Sequence, residues 1–520
     1  MQCVADFFGR KHLETTKLPQ VLLIYPKTGL DISAALSPPH AVLAVAAPVH
    51  HARYRVAVID QRVEQITEET LRALISSELI CVGISAMTGN QIRNALKIAT
   101  TIRRLTNGKV PLVWGGAHPS IIPEQTLENE NVDLVVIGEG DETFLEVVKT
   151  IEAGKGFENV SGLAYRSGTE TIITPPRPVI DVNMLLPTPW ELIDVEQYVH
   201  KNNDMYLKGC ARVLDLGQTS RGCPFSCGFC SSASIRGRKW RPLTAERSLD
   251  MIREGVRRFN LDGFWLRDDE FYIDRSRAHK ICEGIISEKL ASKFYTAGTR
   301  VDVFLKSTHE ELVALKAAGA INLKFGAESG SQRILNLMNK GITVEDTLEA
   351  NRRCMEYGFL PSYTLLIGYP TETFEEINMT IDLGYRLVAE NPSAHLETIS
   401  TFTAFPGTPD YALALSHGLT PPTTFEGWAN WTLDDYDTEG SKLPWLSSEE
   451  RQWVGNISYM SILAESMEGV VGSLGGGRLN PLLVACSTIF SRYFRYRLKN
   501  KKYRTVLELA IVRWLRKLIF

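Results

Sequence analysis

Ser220-Arg221-Gly222-Cys223-Pro224-Phe225-Ser226-Cys227-Gly228-Phe229-Cys230 sets three cysteines at Cys-x3-Cys-x2-Cys spacing within eight residues. Thiolates are soft ligands that suit iron–sulfur clusters. A cubane cluster ordinarily takes four of them, so three leave one iron open to a ligand the protein does not supply. Zinc would want a fourth Cys or His at finger-like spacing, and the closest candidate, Cys210, lies upstream of the strand that leads into the loop. The other reading, three buried free cysteines, is set aside because chains in a reducing compartment seldom bunch cysteines without chemistry. Cys223, Cys227 and Cys230 are therefore the candidate metal ligands, and the catalytic centre is expected on this loop.

Around the loop, strand-like runs alternate with helical stretches: Val213 to Thr219, Gly263-Phe264-Trp265-Leu266, Lys293 to Thr299, Ile321 to Phe325, Tyr363 to Ile367 and Ile399 to Phe402. Six such repeats suit a partial (β/α)6 barrel, whose active site lies at the carboxyl edge of its strands. Polar groups cluster there: Asp268-Asp269-Glu270, Thr299-Arg300-Val301-Asp302, Gly326-Ala327-Glu328-Ser329 and Gly368-Tyr369-Pro370-Thr371-Glu372.

Upstream, Val21 to Tyr25, Val56 to Ile59, Ile80 to Ile84, Pro111 to Trp114 and Val132 to Ile137 are continuous apolar, largely β-branched runs separated by helical segments such as Gln91 to Arg104. That pattern predicts a doubly wound, Rossmann-like α/β domain with a parallel sheet covered on both faces. Glycines fall where its strands end: Gly83-Ile84-Ser85, Gly115-Gly116 and Gly138-Glu139-Gly140. No Gly-x-Gly-x-x-Gly follows the first strand, which weakens a dinucleotide reading. His40, His50 and His51 lie near the same edge and read as ordinary loop or surface histidines.

With the aromatic Phe229 before its last cysteine, the cluster loop resembles that of the radical S-adenosylmethionine (radical SAM) superfamily. In that family the open iron chelates SAM, and the reduced cluster cleaves it to a 5′-deoxyadenosyl radical. The resemblance implies that Phe229 and the Asp268-Asp269 segment lie against SAM, the latter at its amino group, and that Arg300 and Glu328 hold carboxylate and ribose. Ser85-Ala86-Met87 with Gly115-Gly116 looks like the Ser-x-Leu and Gly-Gly elements of cobalamin-binding Rossmann domains. Ala117 to Ser120 and Ile137 to Phe144, including Gly138, Glu139 and Gly140, resemble the version fused to radical SAM domains. One element departs: in place of the family's Asp-x-His-x-x-Gly stands Asp60-Gln61-Arg62-Val63-Glu64-Gln65, with Arg62 where a histidine would reach cobalt. The alternative is a flavodoxin-like domain that has kept the shape and lost the ligand. Ala404 to Pro409 closes the barrel as in relatives that carry the cobalamin domain. The resemblance runs over roughly residues 20 to 410.

At 520 residues the chain exceeds one core. The expected organisation is an N-terminal extension 1–18, a cobalamin-binding domain 19–154, a hairpin and linker 155–186, the barrel 187–420 and a mainly helical region 421–520. Apolar content of 44%, charge of 22% and a net charge of −3 describe an ordinary soluble protein without a nucleic-acid signature. Nine cysteines without regular pairing suit the cytoplasm, and neither a signal peptide nor an apolar run of membrane-spanning length is read. Cys282 and Cys354 lie in helical patterns as structural thiols.

Beyond Pro421, Phe425-Glu426-Gly427-Trp428-Ala429-Asn430-Trp431 is aromatic, either lining a substrate pocket above the barrel mouth or forming a lid's own core, and helices are expected from Ser447 and Leu482. From Arg492 to the end there are ten Lys or Arg and one acid, Glu508, interleaved with Phe494, Trp514 and Phe520. Interfacial amphipathic helices have this composition, so the tail is expected on the inner face of an anionic membrane; a tail packed on the fold or a partner-docking helix are the alternatives. The resemblance implies a cobalamin-dependent C-methyltransferase with a [4Fe-4S] cluster, SAM and cobalamin. A small-molecule or lipid substrate and a flavodoxin- or ferredoxin-like electron donor follow. Its rivals are a cyclase or oxidase without methyl transfer, like the anaerobic magnesium-protoporphyrin monomethyl ester cyclase, and a non-catalytic cobalamin or redox sensor.

Overall fold

A computed structural model describes residues 17–29, 36–202, 204, 206–431, 442–465, 481–505, 508 and 509. The first sheet contains β1 (Val21–Tyr25), β2 (Val56–Asp60), β3 (Cys81–Ser85), β4 (Leu112–Gly115) and β5 (Leu134–Val136), all parallel, in the order β2-β1-β3-β4-β5. The strands are buried apolar runs because helices cover both faces. The helix Asn90–Leu105, for instance, turns Ile92, Ala95, Ile98, Ala99 and Ile102 inward at helical spacing. The strand order reverses between β1 and β3, which is where doubly wound sheets open a ligand crevice.

The hairpin read as part of a linker extends this sheet instead. Strands β6 (Leu163–Ser167) and β7 (Glu170–Ile173) add antiparallel to β5, and buried Leu163, Ala164 and Tyr165 cover what would otherwise be an exposed apolar edge.

The second sheet comprises β8 (His200–Lys201), β9 (Arg212–Asp215), β12 (Gly263–Leu266), β13 (Lys293–Thr299), β14 (Asn322–Glu328), β15 (Leu360–Ile367) and β16 (His395–Thr401), in the order β16-β15-β14-β13-β12-β9-β8. Six strands are parallel, and β8 runs antiparallel on β9. β16 pairs with neither β8 nor β9, so the barrel stays open. A separate two-stranded pair, β10 (Ser220–Arg221) and β11 (Arg241–Pro242), brackets the cysteine loop. Period-two alternation sorts the strands: Leu323, Phe325, Tyr363 and Leu365 are buried beneath the helices. Lys324, Ser362, Thr364 and Leu366 remain partly accessible on the concave face.

The helices Ser448–Glu465 and Pro481–Lys499 pack against each other and, through the former, on β16. Phe494, Leu498 and Tyr503 are buried, Tyr503 Oη donates to Asn378 at 2.7 Å, and Lys501 pairs with Asp382 at 2.8 Å. Residues 492–504, expected at the head of a membrane-facing tail, therefore belong to the folded body along one face. Residues 506, 507 and 510–520 lie outside the described residues. Among the described residues no helix is long and apolar enough to cross a membrane.

The aromatic segment lies against the first domain. Phe425 meets Trp114 edge-on at 5.3 Å, Trp428 Nε1 donates to Gln125 at 2.6 Å, and Trp431 Nε1 donates to the Ala404 carbonyl at 2.9 Å. It forms a strap that ties the end of the barrel to the doubly wound domain.

Candidate functional site

The carboxyl edges of the two parallel sheets face one another. At the β1 end, Ser37 accepts from Arg267, which follows β12, and His40 lies 3.3 Å from Asp215 at the end of β9. At the β5 end, Arg221 makes a bidentate pair with Asp141 at 2.9 and 3.0 Å, while Arg241 makes one with Glu139. Glu139 and Asp141 belong to the glycine-rich edge expected to meet a ligand. Their carboxylates are instead engaged by arginines of the strand pair that carries the cysteine loop. Burial works to raise the Glu139 carboxyl, but Arg241 and Arg221 override it and hold it below the usual carboxylate range.

The cysteine loop is held by its glycines. Gly222 adopts φ +83°, and a Cβ there would collide with the Lys239 carbonyl. Gly228 donates its N–H to the Met338 carbonyl at 2.8 Å and accepts from the Asp410 N–H at 3.0 Å. A side chain at 228 would overlap the buried Asp410 carboxylate. Two elements distant in sequence thus pin the residue between the second and third cysteines. Asn339 adds bonds to the Ser226 carbonyl and hydroxyl at 3.1 and 2.8 Å.

All three thiols are free and partly accessible. Burial pushes the Cys223 thiol up to about 11 and raises Cys230 as well, so thiolate charge here needs a cation to offset it, as iron would. Among the described residues no three Cys, His, Asp or Glu converge tightly enough to hold a single metal ion. A cubane asks for something else, because each cysteine binds a different iron. Three soft thiols on one short loop are the donor set a cubane takes.

The charged residues at the barrel mouth differ in availability. Arg300 Nη1 donates to Cys227 Sγ at 3.3 Å, Nε to Asp302 at 2.8 Å and Nη2 to the Lys340 carbonyl at 2.6 Å. Its guanidinium lies 3.7 Å over the Phe225 ring. Glu328 pairs with Lys340 at 2.7 Å and takes a left-handed φ of +62° at a register shift in β14. Lys340 Nζ in turn lies 5.6 Å over Phe229. Asp268 is buried and spends its acceptors on the Thr219 N–H and hydroxyl, at 3.1 and 2.9 Å, and on Ser220. Asp269 is the partly open carboxylate of that segment, bonded to Ser232 at 2.8 Å. Lys340 and Asp410 were not foreseen, and Glu270 was placed in the strand-end cluster without a role. Glu270 accepts from the Arg300 N–H at 2.6 Å, while Lys340 and Asp410 resemble any surface charge as single letters.

On the opposing edge, Met87 is 43% exposed and its N–H donates to Gln91, whose amide donates to the Pro26 carbonyl, bridging the ends of β3 and β1. Gly116 at φ +97° brings the β4 end onto the β3 end, since a Cβ would lie 2.7 Å from the Ala86 carbonyl. Gly138 at φ +79° faces open space, Gly115 and Ser85 are partly exposed, and Gly140 packs on Val45. Arg62 is fixed by Asp60 at 2.6 and 3.0 Å, by the Ser37 carbonyl at 2.8 Å and by the Tyr25 ring at 4.4 Å. Tyr198 donates to the same Asp60 at 2.9 Å. Exposed Met87 at the β3 end and open space at Gly138 beyond β5 leave this edge accessible, as a flat cofactor needs.

Comparisons with known proteins agree with this geometry. The profile of the Radical SAM superfamily matches residues 218–384, and that of the B12 binding domain matches residues 31–148. An uncharacterized methyltransferase of Pyrococcus horikoshii is 30% identical over 450 residues, 86% of this chain and 92% of that protein. The anaerobic magnesium-protoporphyrin IX monomethyl ester cyclase of Cereibacter sphaeroides is 31% identical over 303 residues, 57% of this chain and 47% of that one. The solved structure of the cobalamin-dependent S-adenosylmethionine radical enzyme OxsB, with aqua-cobalamin and S-adenosylmethionine bound, superposes with a TM-score of 0.73 at 19% identity. It covers 96% of this chain and 75% of that one.

Proposed function

Because this chain belongs to the cobalamin-binding radical SAM family, we propose that it is a methyltransferase acting on carbon, with a [4Fe-4S] cluster, SAM and cobalamin as cofactors. One observation carries the reading: the three-cysteine loop and the Met87–Gly138 edge oppose each other across a single interface, clamped by Arg221 and Arg241. When bound, the cluster and SAM supply a 5′-deoxyadenosyl radical and the cobalamin supplies the methyl group. The residues do the rest. Cys223, Cys227 and Cys230 hold iron. Arg300 stabilises thiolate charge at Cys227, and Asp269, Glu328 and Phe229 line the place for SAM. Ser85, Met87, Gly115, Gly116 and Gly138 floor the cobalamin edge, and Glu139 and Gly140 keep that edge against the barrel.

The concave face supports a substrate with polar as well as apolar parts. Lys324 pairs with Glu397 at 2.8 Å, Ser362 donates to the same carboxylate at 3.0 Å, and stacked Tyr206 and Tyr295, 4.3 Å apart, close the floor beside Trp265.

Anaerobic reconstitution and turnover with SAM test the proposal. Both 5′-deoxyadenosine and S-adenosylhomocysteine are expected. The first without the second would replace methyl transfer by ring closure or oxidation, the reading favoured by the cyclase likeness. Neither product would leave a sensor.

The membrane reading now rests on one strip of the helix Pro481–Lys499, where Ile489, Phe490, Tyr493 and Tyr496 are exposed beside Arg492 and Lys499. Aromatic and basic side chains on one face suit an anionic lipid surface. Co-sedimentation with anionic vesicles is the check: equal binding by the wild type and a Phe490→Ser/Tyr496→Ser variant would remove it.

A further inference from the structure

We propose that Arg238 and Lys239, beside the cysteine loop, form the docking site for an acidic one-electron carrier protein that reduces the cluster, an inference that rests on the radical SAM reading. Whatever chemistry follows, one electron must reach the loop from outside, and the surroundings of the loop restrict where. Arg221 faces Asp141 and Glu139 of the opposing domain. Gly228 is buried between Met338 and Asp410. Pro224, one residue beyond Cys223, is exposed, and the segment that flanks it is Gly237-Arg238-Lys239, exposed throughout. That segment is in backbone contact with the loop, since Gly222 abuts the Lys239 carbonyl.

The charges there are unbalanced. Every other arginine of the stretch has an acidic partner: Arg221 has Asp141, Arg236 has Asp269 at 3.7 Å, and Arg241 has Glu139. Among the described residues Arg238 and Lys239 make no side-chain hydrogen bond or ion pair. Two free cations on a chain of net charge −3 are a local feature and not a general basic character. Across an interface such a pair attracts a negative patch and speeds encounter rather than adding much affinity, which suits a carrier that must leave after each delivery. Gly237 takes φ +67° at the turn that leads into the two exposed cations. The step is a simple balance: the reduced carrier loses one electron, the cluster gains it, and no proton or group moves.

The test uses the full chain with its cluster reconstituted, reduced flavodoxin as the acidic donor, and bleaching of the cluster's visible absorbance as the readout. Arg238→Glu/Lys239→Glu is expected to slow reduction by flavodoxin about tenfold to a hundredfold at low salt, and Arg238→Gln/Lys239→Gln to give an intermediate loss. Reduction by dithionite, a small inorganic donor, should stay within about twofold of the wild type for both. The wild-type rate with flavodoxin should fall as salt is added, while that of the Glu pair should not. Equal flavodoxin rates in wild type and variants, a wild-type rate indifferent to salt, or a matching loss with dithionite in both variants would each overturn the docking site. Failure of the dithionite-reduced wild type to cleave SAM would instead sink the functional reading and leave the reduction kinetics interpretable.

Discussion

Glu139→Gln should loosen the docking of the two domains while leaving each domain folded. The carboxylate takes Arg241 in a bidentate pair, one contact at 3.0 Å, and has Arg221 at 3.5 Å. The side chains of Glu139, Arg241 and Arg221 are only 16%, 14% and 15% exposed. The amide keeps the shape and one acceptor oxygen but removes the charge and turns the second acceptor into a donor, leaving Arg241 one neutral bond to position 139 besides the Ile180 carbonyl at 2.9 Å. Stripping one partner from a largely buried pair costs about 3 kcal/mol, because the remaining charge stays desolvated and alone. At 1.4 kcal/mol per factor of ten this is roughly a 150-fold shift toward separated domains. Arg241→Gln should cost a similar amount. The double variant should cost less than the sum, by a coupling of about 1–3 kcal/mol. Hydrogen exchange at residues 139–141 and 220–223, together with urea unfolding, measures all four corners of the cycle. Additive losses would refute the clamp. So would an Arg241→Gln variant that keeps full protection at the interface while Glu139→Gln alone loses cobalamin, which would make Glu139 a direct cofactor contact.

Alanines at Cys223, Cys227 and Cys230 together should abolish iron and sulfide uptake; retention of near four irons per chain would displace the cluster from this loop. Gly228→Ala should cost about 1–3 kcal/mol by overpacking against Asp410 and lower cluster loading, and Gly228→Ala/Asp410→Ala should restore it; no rescue would mean that the loop is not pinned there. His118 is buried against Phe425 and Trp428, and burial lowers its pKa to about 4. Between that value and about 6.5 the unfolded chain binds a proton that the fold does not. The His118 contribution to stability should therefore fall by about 2 kcal/mol from pH 7 to pH 5, read as the difference between the wild-type and His118→Gln profiles because raised carboxyls such as Asp410 act in the opposite sense; parallel pH profiles for the two proteins would contradict this. Paramagnetic resonance of the cob(II)alamin form should lack nitrogen hyperfine splitting from an axial imidazole, because the Arg62 guanidinium has no lone pair to give. A clear triplet would refute that.

Local pattern determined much of this protein. The cysteine spacing, the β-branched runs of both parallel sheets, the glycines at their carboxyl edges and the missing histidine at position 62 are properties of short stretches, and the periods of strand and helix make them readable without knowing what packs where. Tertiary structure decided which of the polar letters remain available. Asp268 and Asp269 are neighbours in sequence, yet one is buried among Thr219 and Ser220 and the other opens to the mouth, because successive strand-end residues point opposite ways. Glu139 looked like part of a ligand cradle and proves to be held by Arg241, a partner in the other domain. The aromatic strap from Phe425 to Trp431 found partners in both domains, Trp114 and Gln125 of the first and the Ala404 carbonyl just beyond β16. A charge or an aromatic ring is satisfied by whatever the fold brings within a few ångströms, and that depends on how two separately legible domains dock, which no single stretch of either one encodes.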